Sequence, residues 1–579
     1  MEPPVDAGES GTRLRRVQTT TSYTFQDEHG WRKWRILRPG RGMYHDVKRR
    51  LPYYWSDIVD AWTYRTFAST VRMYFVNLLP AIAFTLDMYR RTGEFYGINE
   101  ALLASALAAM VFSLLSCQPL TIVGVTGLIS LFNYTIYDIV KQYDVTLYPK
   151  VMAWTGIWAA IFHWVVGVGN YCDYMGYITD FSSESFGMYV GIIYMVKGVE
   201  ELVNEFSVTG NAGGYLSCLI AILYFGSVYS IEKLGSSVLW NPWVRSFLAD
   251  YAFVFPTLFW VGFSHIPGTL KNTPVTFVPI TTAFHPTQSR NWVIDFWSLD
   301  AAWVFVALPF GFLTMLLFYY DHNVSSLTAQ SRRFPLKKPA GFHWDFFLLG
   351  CTTFVAGVIG LPMPNGLVPQ APVHTDSLTV YETHVDIIKM NETSSHQPRV
   401  HAIAVIEQRM SHFIMGLALW GTMTGPLLIV LHTMPAAVFA GVFFVVGWGS
   451  IESNGILQKL VHLQSEERFI QPDNPLAHVP RRKVTLYVLL QILGVAVTVA
   501  ISQTIAAIGF PVLIIALIPF RTFIMPKWFS SKELFALDAL TANNRAVLAS
   551  LGGRPTKMRG WAGEEVQEEG QVESEEKDE

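Results

Sequence analysis

Apolar segments of about 20 residues recur along this chain, and short polar connections separate them. A helix needs about 20 apolar residues to cross the hydrocarbon core of a bilayer. The pattern therefore predicts an all-α polytopic membrane protein with about fourteen spans, in two sets of seven. The first set is predicted at residues 67–89, 98–116, 121–139, 151–170, 183–204, 214–232 and 246–265. The second set is predicted at residues 299–320, 343–361, 371–386, 405–430, 435–452, 483–502 and 505–525.

The third segment of each set is interrupted by proline and glycine. Residues 118–127 read QPLTIVGVTG, and residues 361–375 read LPMPNGLVPQAPVHT. Proline removes a backbone donor and clashes with the preceding turn, so a continuous helix is disfavoured in both stretches. Each stretch is therefore predicted to form a short strand that leads into a half-helix. Such a pair of breaks in corresponding halves is typical of a secondary transporter's binding site.

An odd number of spans per set places the two halves in opposite orientations, as in an inverted repeat. Half-helices that begin near Thr126 and near Pro372 would then aim two N-termini at one point. Free N–H groups there can hold an anion or a hydroxyl-rich solute without lysine or arginine. The alternative is that the breaks only kink tightly packed helices. The predicted binding residues are Val125, Thr126, Gly127, Gln370, Ala371, Pro372, Val373, His374 and Thr375.

Three polar side chains carry the chemical hypotheses. Gln370 can donate and accept, which suits a solute with hydroxyl groups, although it could instead satisfy loose backbone carbonyls. His374 is interpreted as a hydrogen-bonded structural histidine rather than a proton carrier. Asp321 follows an apolar run, and an ionisable residue within a span is a functional hypothesis. Because small and hydroxyl residues continue at 324–330, the helix is expected to run past Asp321 and leave it deep, as a coupling or gating carboxylate. The alternative is that the span ends there.

Composition and charge fit this organisation. The chain is 51% hydrophobic and 15% charged, whereas a soluble domain has roughly 25% charged residues. Basic clusters precede span one, follow span eight and precede span thirteen, which predicts cytoplasmic termini. The sequon at Asn391 would then be cytoplasmic and unused. The predicted regions are a cytoplasmic head at 1–65, a first repeat at 66–265, an extracellular loop at 266–298, a second repeat at 299–530, and a largely disordered cytoplasmic tail at 531–579.

Other classes of function find little support in the sequence. The four cysteines lack metal-ligand or redox spacing. There is no nucleophile–base pairing, phosphate loop or metal cluster, so neither an enzyme nor a cofactor is predicted. A net charge of −3, without a basic face bearing interleaved aromatics, argues against a nucleic-acid partner.

Several of these motifs resemble the bicarbonate and borate transporter family, which includes the erythrocyte band 3 anion exchanger. The resemblance rests on QPL at 118–120 with Val123-Gly124, on GFHWD at 341–345, and on EQR at 407–409. Asp321-His322, LKKP at 336–339 and the stretch 365–375 resemble the borate-exporter branch, in its fungal form. Chloride/bicarbonate exchangers of the family carry arginine where Gln370 stands and glutamate where Asp321 stands. The resemblance therefore implies a borate exporter.

The resemblance also implies a fold and a mechanism. A core domain would contain spans one to four and eight to eleven, and a gate domain the remainder, with the gate forming a homodimer. The core would carry borate or boric acid across the bilayer by alternating access. The expected location is the plasma membrane, with an internal (vacuolar) membrane as the alternative. Two alternative functions stay open: a bicarbonate or other inorganic-anion exchanger of the same fold, and a non-transporting membrane anchor.

Overall fold

The computed structural model describes residues 22–24, 38–235, 237, 239–279, 281–390, 393–466, 470, 475–539, 541, 547, 550 and 554–556. Within these residues, seven helices are long and apolar enough to cross a membrane, and three bent helix pairs raise this number to ten. Residues 1–21 and 25–37 of the predicted head lie outside the described residues, as do residues 391–392 of the sequon and residues 557–579 of the predicted tail. The predictions about these segments stay predictions.

In the first half of the chain, the described residues from 38 onward are mostly helical. Helix α7 contains one non-helical residue, Gly210, at φ 77° and ψ −175°. Glycine adopts this backbone conformation without a steric penalty, so α7 provides the fifth and sixth spans. The elements are β1 Ser22–Thr24, α1 Arg41–Arg50, α2 Ser56–Val59, α3 Tyr64–Arg91, α4 Ile98–Leu115, β2 Val123–Gly124, α5 Gly127–Val140, α6 Tyr148–Val168, α7 Asp180–Gly235, α8 Pro242–Asp250, α9 Val254–Ser264 and α10 Thr269–Asn272.

The second half repeats this order of long helices around a broken third segment. Its elements are α11 Ala301–Ala329, α12 His343–Ile359, β3 Asn365–Gly366, α13 Gln370–Ser377, β4 Thr379–Met390, β5 Thr393–Val405, α14 Met410–Thr422, α15 Gly425–His432, α16 Ala436–Glu452, α17 Gly455–Gln464, α18 Arg481–Ser502, α19 Phe510–Pro519, α20 Ser531–Leu537 and β6 Arg554–Thr556. Strand β6 pairs with β1 antiparallel. Helix α20 lies inside the predicted C-terminal tail.

Each predicted span except the tenth falls on these helices, and three helix pairs are bent. The pairs α8–α9, α14–α15 and α16–α17 bend by 57°, 83° and 60°. The predicted limits of the tenth span, residues 371–386, are wrong. Helix α13 ends at Ser377, and β4 Thr379–Met390 pairs antiparallel with β5 Thr393–Val405.

Packing groups the spans into two bodies. In the core body, α6 contacts α11 and α12, while α14 contacts α3 and α4. In the gate body, α7 contacts α16 and α18. We use "core body" for α3–α6 with α11–α15 and "gate body" for α7–α9 with α16–α19. This division agrees with the one that the family resemblance implies.

Helices α6 and α12 cross in close contact at two glycines, Gly156 and Gly357. A Cβ atom on Gly156 would lie 2.8 Å from the Gly357 Cα, and one on Gly357 would lie 3.0 Å from the Gly156 Cα. The obstacle in both cases is backbone rather than a movable side chain. This crossing therefore depends on the absence of side chains at both positions.

Substitution of Gly156 by alanine is expected to lower the apparent melting temperature of the detergent-solubilised protein. Overpacking typically costs about 1–3 kcal/mol, since the backbone must shift. Gly226→Ala in α7 is the matched control, because a Cβ there meets nothing within 4 Å. Equal melting temperatures for Gly156→Ala and the parent chain, measured by heating followed by size-exclusion chromatography, would contradict the close crossing.

Candidate functional site

The two predicted breaks meet and pair with each other inside the core body. Strands β2 and β3 are antiparallel, with Val123 opposite Gly366 and Gly124 opposite Asn365. The Leu367 N–H extends the pairing by donating to the Ile122 carbonyl at 2.9 Å. Both strands are buried. The prediction of a short strand leading into a half-helix is confirmed for both breaks, and each strand satisfies backbone groups of the other.

Helix α5 begins where the sequence predicts. Thr126 is its N-cap, and the Thr126 Oγ1 accepts from the Ile129 N–H at 3.3 Å. The Val125 N–H donates to Ser105 Oγ at 3.1 Å, so this amide is already satisfied. A Cβ on Gly127 would lie 2.2 Å from the ring of Phe84. Gly127 thus allows an aromatic ring to pack directly on the start of the half-helix.

Helix α13 begins at Gln370, two residues before the predicted start near Pro372, with Pro369 as its N-cap. Proline is tolerated in the first helical turn, because the N–H groups there have no partner within the helix. The Ala371 N–H donates to the Leu367 carbonyl at 2.9 Å, and Pro372 has no N–H. This leaves Gly127 and Leu128 in α5, and Gln370 in α13, to offer first-turn N–H groups in the interior.

A small central cavity lies between these helix starts, α11 and α7. The space open inside it is about 10 Å³, roughly what one water molecule needs. Of the predicted site residues, Thr126 and Asp321 line it, and Gln370 directly follows the lining stretch 366–369. Its walls are formed by Thr126, Leu128, Val190, Tyr194, Asp321, Gly366, Leu367, Val368 and Pro369.

Asp321 is buried in the middle of the protein. Helix α11 continues to Ala329, which confirms the expectation that the helix runs past Asp321, and this residue is only 2% exposed. Its Oδ2 accepts from the Asn365 side-chain amide at 2.7 Å. Within the described part of the chain, no lysine or arginine forms an ion pair with Asp321. The carboxyl group can therefore accept a proton or a solute hydroxyl.

Gln370 has an unused acceptor next to the cavity. The side chain is 1% exposed, and its Oε1 has no hydrogen-bond partner among the described residues. A buried polar atom without a partner costs about 1–3 kcal/mol, which a hydroxylated solute could recover by donating to it.

His374 and Thr375 lie one turn further along α13 and bind other parts of the protein. His374 Nδ1 is 2.9 Å from the Leu120 carbonyl oxygen, and its Nε2 is 2.7 Å from Ser411 Oγ. Thr375 Oγ1 donates to the Ala329 carbonyl at 2.8 Å. These contacts favour the structural interpretation of His374. Ala371, Pro372 and Val373 complete the same short helix.

Sequence reasoning missed the part of the site that α7 contributes. Val190 and Tyr194 line the cavity opposite the half-helices. Neither is marked by a break or a charge, because apolar and aromatic residues are ordinary in a span. The sequence indicates Asn365 only as part of the second break. Its hydrogen bond to Asp321 could not be predicted, because it depends on tertiary packing.

A family model and curated relatives both match this chain to transporters. The family model described as "HCO3- transporter integral membrane domain" matches residues 38–212 and 209–542. A Schizosaccharomyces pombe protein, named as a transporter without a stated substrate, is 46% identical over 501 residues, covering 86% of this chain and 96% of its own. Boron transporter 1 of Saccharomyces cerevisiae is 40% identical over 511 residues, covering 87% and 86%.

Solved structures agree on the fold. The murine Slc26a9 anion transporter in its inward-facing state has a TM-score of 0.54 at 11% identity, covering 84% of this chain and 72% of that chain. The transmembrane domain of the cyanobacterial bicarbonate transporter BicA has a TM-score of 0.51 at 14% identity, covering 82% and 98%. The predicted fold class, a polytopic helical protein with a seven-plus-seven inverted repeat, is confirmed.

Substitution of His374 by alanine is expected to lower the melting temperature of the purified protein. It removes the side chain that contacts both Leu120 and Ser411, and each buried group left without a partner costs about 1–3 kcal/mol. His285→Ala is the control, because this side chain is exposed. A normal melting temperature for His374→Ala combined with lost transport would instead assign His374 to the transport step.

Proposed function

Because this chain belongs to the family defined by the HCO3− transporter integral membrane domain, we propose that it is a multi-pass secondary transporter that exports borate or boric acid. The observation that carries the proposal is a cavity between two half-helix starts that has hydrogen-bonding groups and no fixed cation. The relation to Boron transporter 1 over 87% of the chain supports the choice of substrate.

The polar groups around the cavity suit a solute covered with hydroxyl groups. The N–H groups of Gly127, Leu128 and Gln370 and the Thr126 hydroxyl can donate to boron-bound oxygens. Asp321 and the Gln370 Oε1 can accept from boron-bound hydroxyls. We therefore assign the solute contacts to the two helix starts and Gln370, and the coupling or gating role to Asp321. Val125, Gly127 and residues 371–375 lie outside the cavity lining, so we assign them the role of holding the two helix starts in place.

The size of the cavity supports transport by alternating access. About 10 Å³ admits roughly one water molecule, so boric acid fits only if the walls separate. One wall belongs to the core body and the other, with Val190 and Tyr194, belongs to α7 of the gate body. Movement of the core body relative to α7 would open the site to one side at a time.

The topology completes the proposal. We place both termini in the cytoplasm and the Arg90 end of α3 on the outer side of the plasma membrane. The gate body would form a homodimer interface. The boundaries 1–65, 66–265, 266–298, 299–530 and 531–579 are retained as proposed regions.

A bicarbonate or other inorganic-anion exchanger is the second candidate, because the family model itself carries bicarbonate in its description. The glutamine at position 370 argues against it, since the resembling chloride/bicarbonate exchangers carry an arginine there. A non-transporting anchor would not require the unpartnered Gln370 acceptor beside a cavity.

Substitution of Asp321 by alanine is expected to abolish boron export without loss of folding or surface delivery. The test uses boron-loaded cells without their own exporter, in which intracellular boron is measured after transfer to boron-free medium. Cells with the parent chain should contain less boron than cells without it. Cells with Asp321→Ala should contain as much boron as cells without the chain. Export near the parent rate would remove Asp321 from its assigned role.

Two control variants separate charge from structure. Asp321→Asn keeps the shape and a hydrogen-bonding side chain but cannot ionise, so loss of export in this variant points to the carboxylate itself. Asp300→Asn changes an exposed aspartate at the start of the same helix and should leave export unchanged. Each variant is compared at equal surface expression.

A further inference from the structure

A second, larger cavity lies between the core and gate bodies near the Arg90 end of α3. Its volume is about 250 Å³, and it lies between the last turns of α3, the middle of α7 and α16. We call it the charged cavity. Its walls are formed by Asp87, Arg90, Arg91, Lys197, Glu200, Glu201, Asn204 and Phe443.

Two ion pairs connect the bodies at this cavity. Lys197 Nζ on α7 is 3.0 Å from Asp87 Oδ2 on α3. Arg90 on α3 pairs with Glu201 on α7. The side chains of Lys197 and Glu201 are 10% and 8% exposed, so both are largely shielded from water. Since each pair has one partner on each body, the bodies can separate here only if both pairs break.

Three aromatic rings stand between the charged cavity and the central cavity. The ring centroids of Phe84 and Tyr194 are 5.0 Å apart, those of Phe84 and Phe443 are 4.7 Å apart, and those of Tyr194 and Phe443 are 5.8 Å apart. Tyr194 lines the central cavity, whereas Phe443 lines the charged cavity. The rings come from α3, α7 and α16, so this cluster also joins the two bodies.

We propose that the charged cavity is the outer end of the transport path, and that Phe84, Tyr194 and Phe443 form the barrier between it and the central site. The solute class is a small hydroxylated acid or its monovalent anion. When the bodies separate, Arg90 loses Glu201 and faces the passing solute, whereas Lys197 loses Asp87 but keeps Glu200 on its own helix at 2.7 Å. The direction of transport and the solute rest on the proposed function, whereas the barrier itself does not.

The position of Phe84 links this barrier to the half-helix. Its ring contacts Gly127 at the start of α5, where a Cβ would lie 2.2 Å away. A movement of α5 with the core body would therefore move Phe84 away from the two rings on the gate body. Substrate binding and barrier opening would then be parts of one movement.

The test measures whether a reagent reaches the central cavity from the outer side. Val190→Cys places a thiol in the central cavity, and Asn204→Cys places one in the charged cavity. Intact cells expressing each full-length variant are treated with a membrane-impermeant thiol reagent, and the labelling rate is measured. The parent chain, with its four cysteines, gives the background.

The expected pattern is specific. Asn204→Cys should react whether or not Phe443 is substituted. Val190→Cys should react slowly alone and faster when it is combined with Phe443→Ala. Removal of the ring should raise the Val190→Cys rate about tenfold or more, since a closed barrier leaves the open form only about 0.1–10% populated. Phe444→Ala is the matched control, because that neighbouring ring packs on Gly198 within the gate body.

Three results would overturn the proposal. They are no reaction at Asn204→Cys, fast reaction at Val190→Cys in the parent background, or equal Val190→Cys rates with and without Phe443→Ala. Phe443→Leu repeats the test with an apolar side chain of similar volume if the alanine variant does not reach the surface. Labelling needs no boron, so a failed boron-export assay beside the expected labelling would reject only the substrate.

Discussion

The pairing of β2 with β3 is the interaction on which the rest of this structure depends. Two chain breaks in an apolar interior leave N–H and C=O groups that lipid cannot satisfy. Here each break satisfies the other, through Val123 with Gly366 and Gly124 with Asn365. The pairing also fixes both half-helix starts beside one cavity. Asn365 adds a bond to Asp321, so the site and the crossing strands form one unit.

Buried charges divide between contacts within one body and contacts between the two bodies. The Asp57 carboxylate forms ion pairs with Arg50, Lys338 and Arg409, at 2.6, 2.7 and 3.0 Å. These pairs join the segment before α3 to the core body. Breaking a buried pair by removing one partner is strongly destabilising. The pairs at the charged cavity instead cross between bodies, so movement must break them. This difference separates a fixed core from a mobile boundary.

Hydropathy and chain breaks predicted much of the fold, because lipid imposes length and backbone satisfaction on every span. The hydroxyl-rich continuation after Asp321 correctly indicated a deep carboxylate. The strands Thr379–Met390 and Thr393–Val405 were misassigned in part to a span, because their sequence has no clear polar–apolar alternation. Tyr194 and its partners Phe84 and Phe443 could not be predicted, since aromatic residues in spans give no local signal. Their meeting depends on how α3, α7 and α16 pack.

The central claim is that this chain alone moves boron through a site that contains Asp321. The most direct measurement is boron flux in liposomes that contain only the purified protein. The liposomes are loaded with boric acid, and a borate-binding reagent outside removes what is released. Protein-free liposomes give the background rate of leakage through lipid. We expect faster boron release with the parent chain, and release at the protein-free rate with Asp321→Ala. Equal release from parent and protein-free liposomes, with folded protein present, would contradict it.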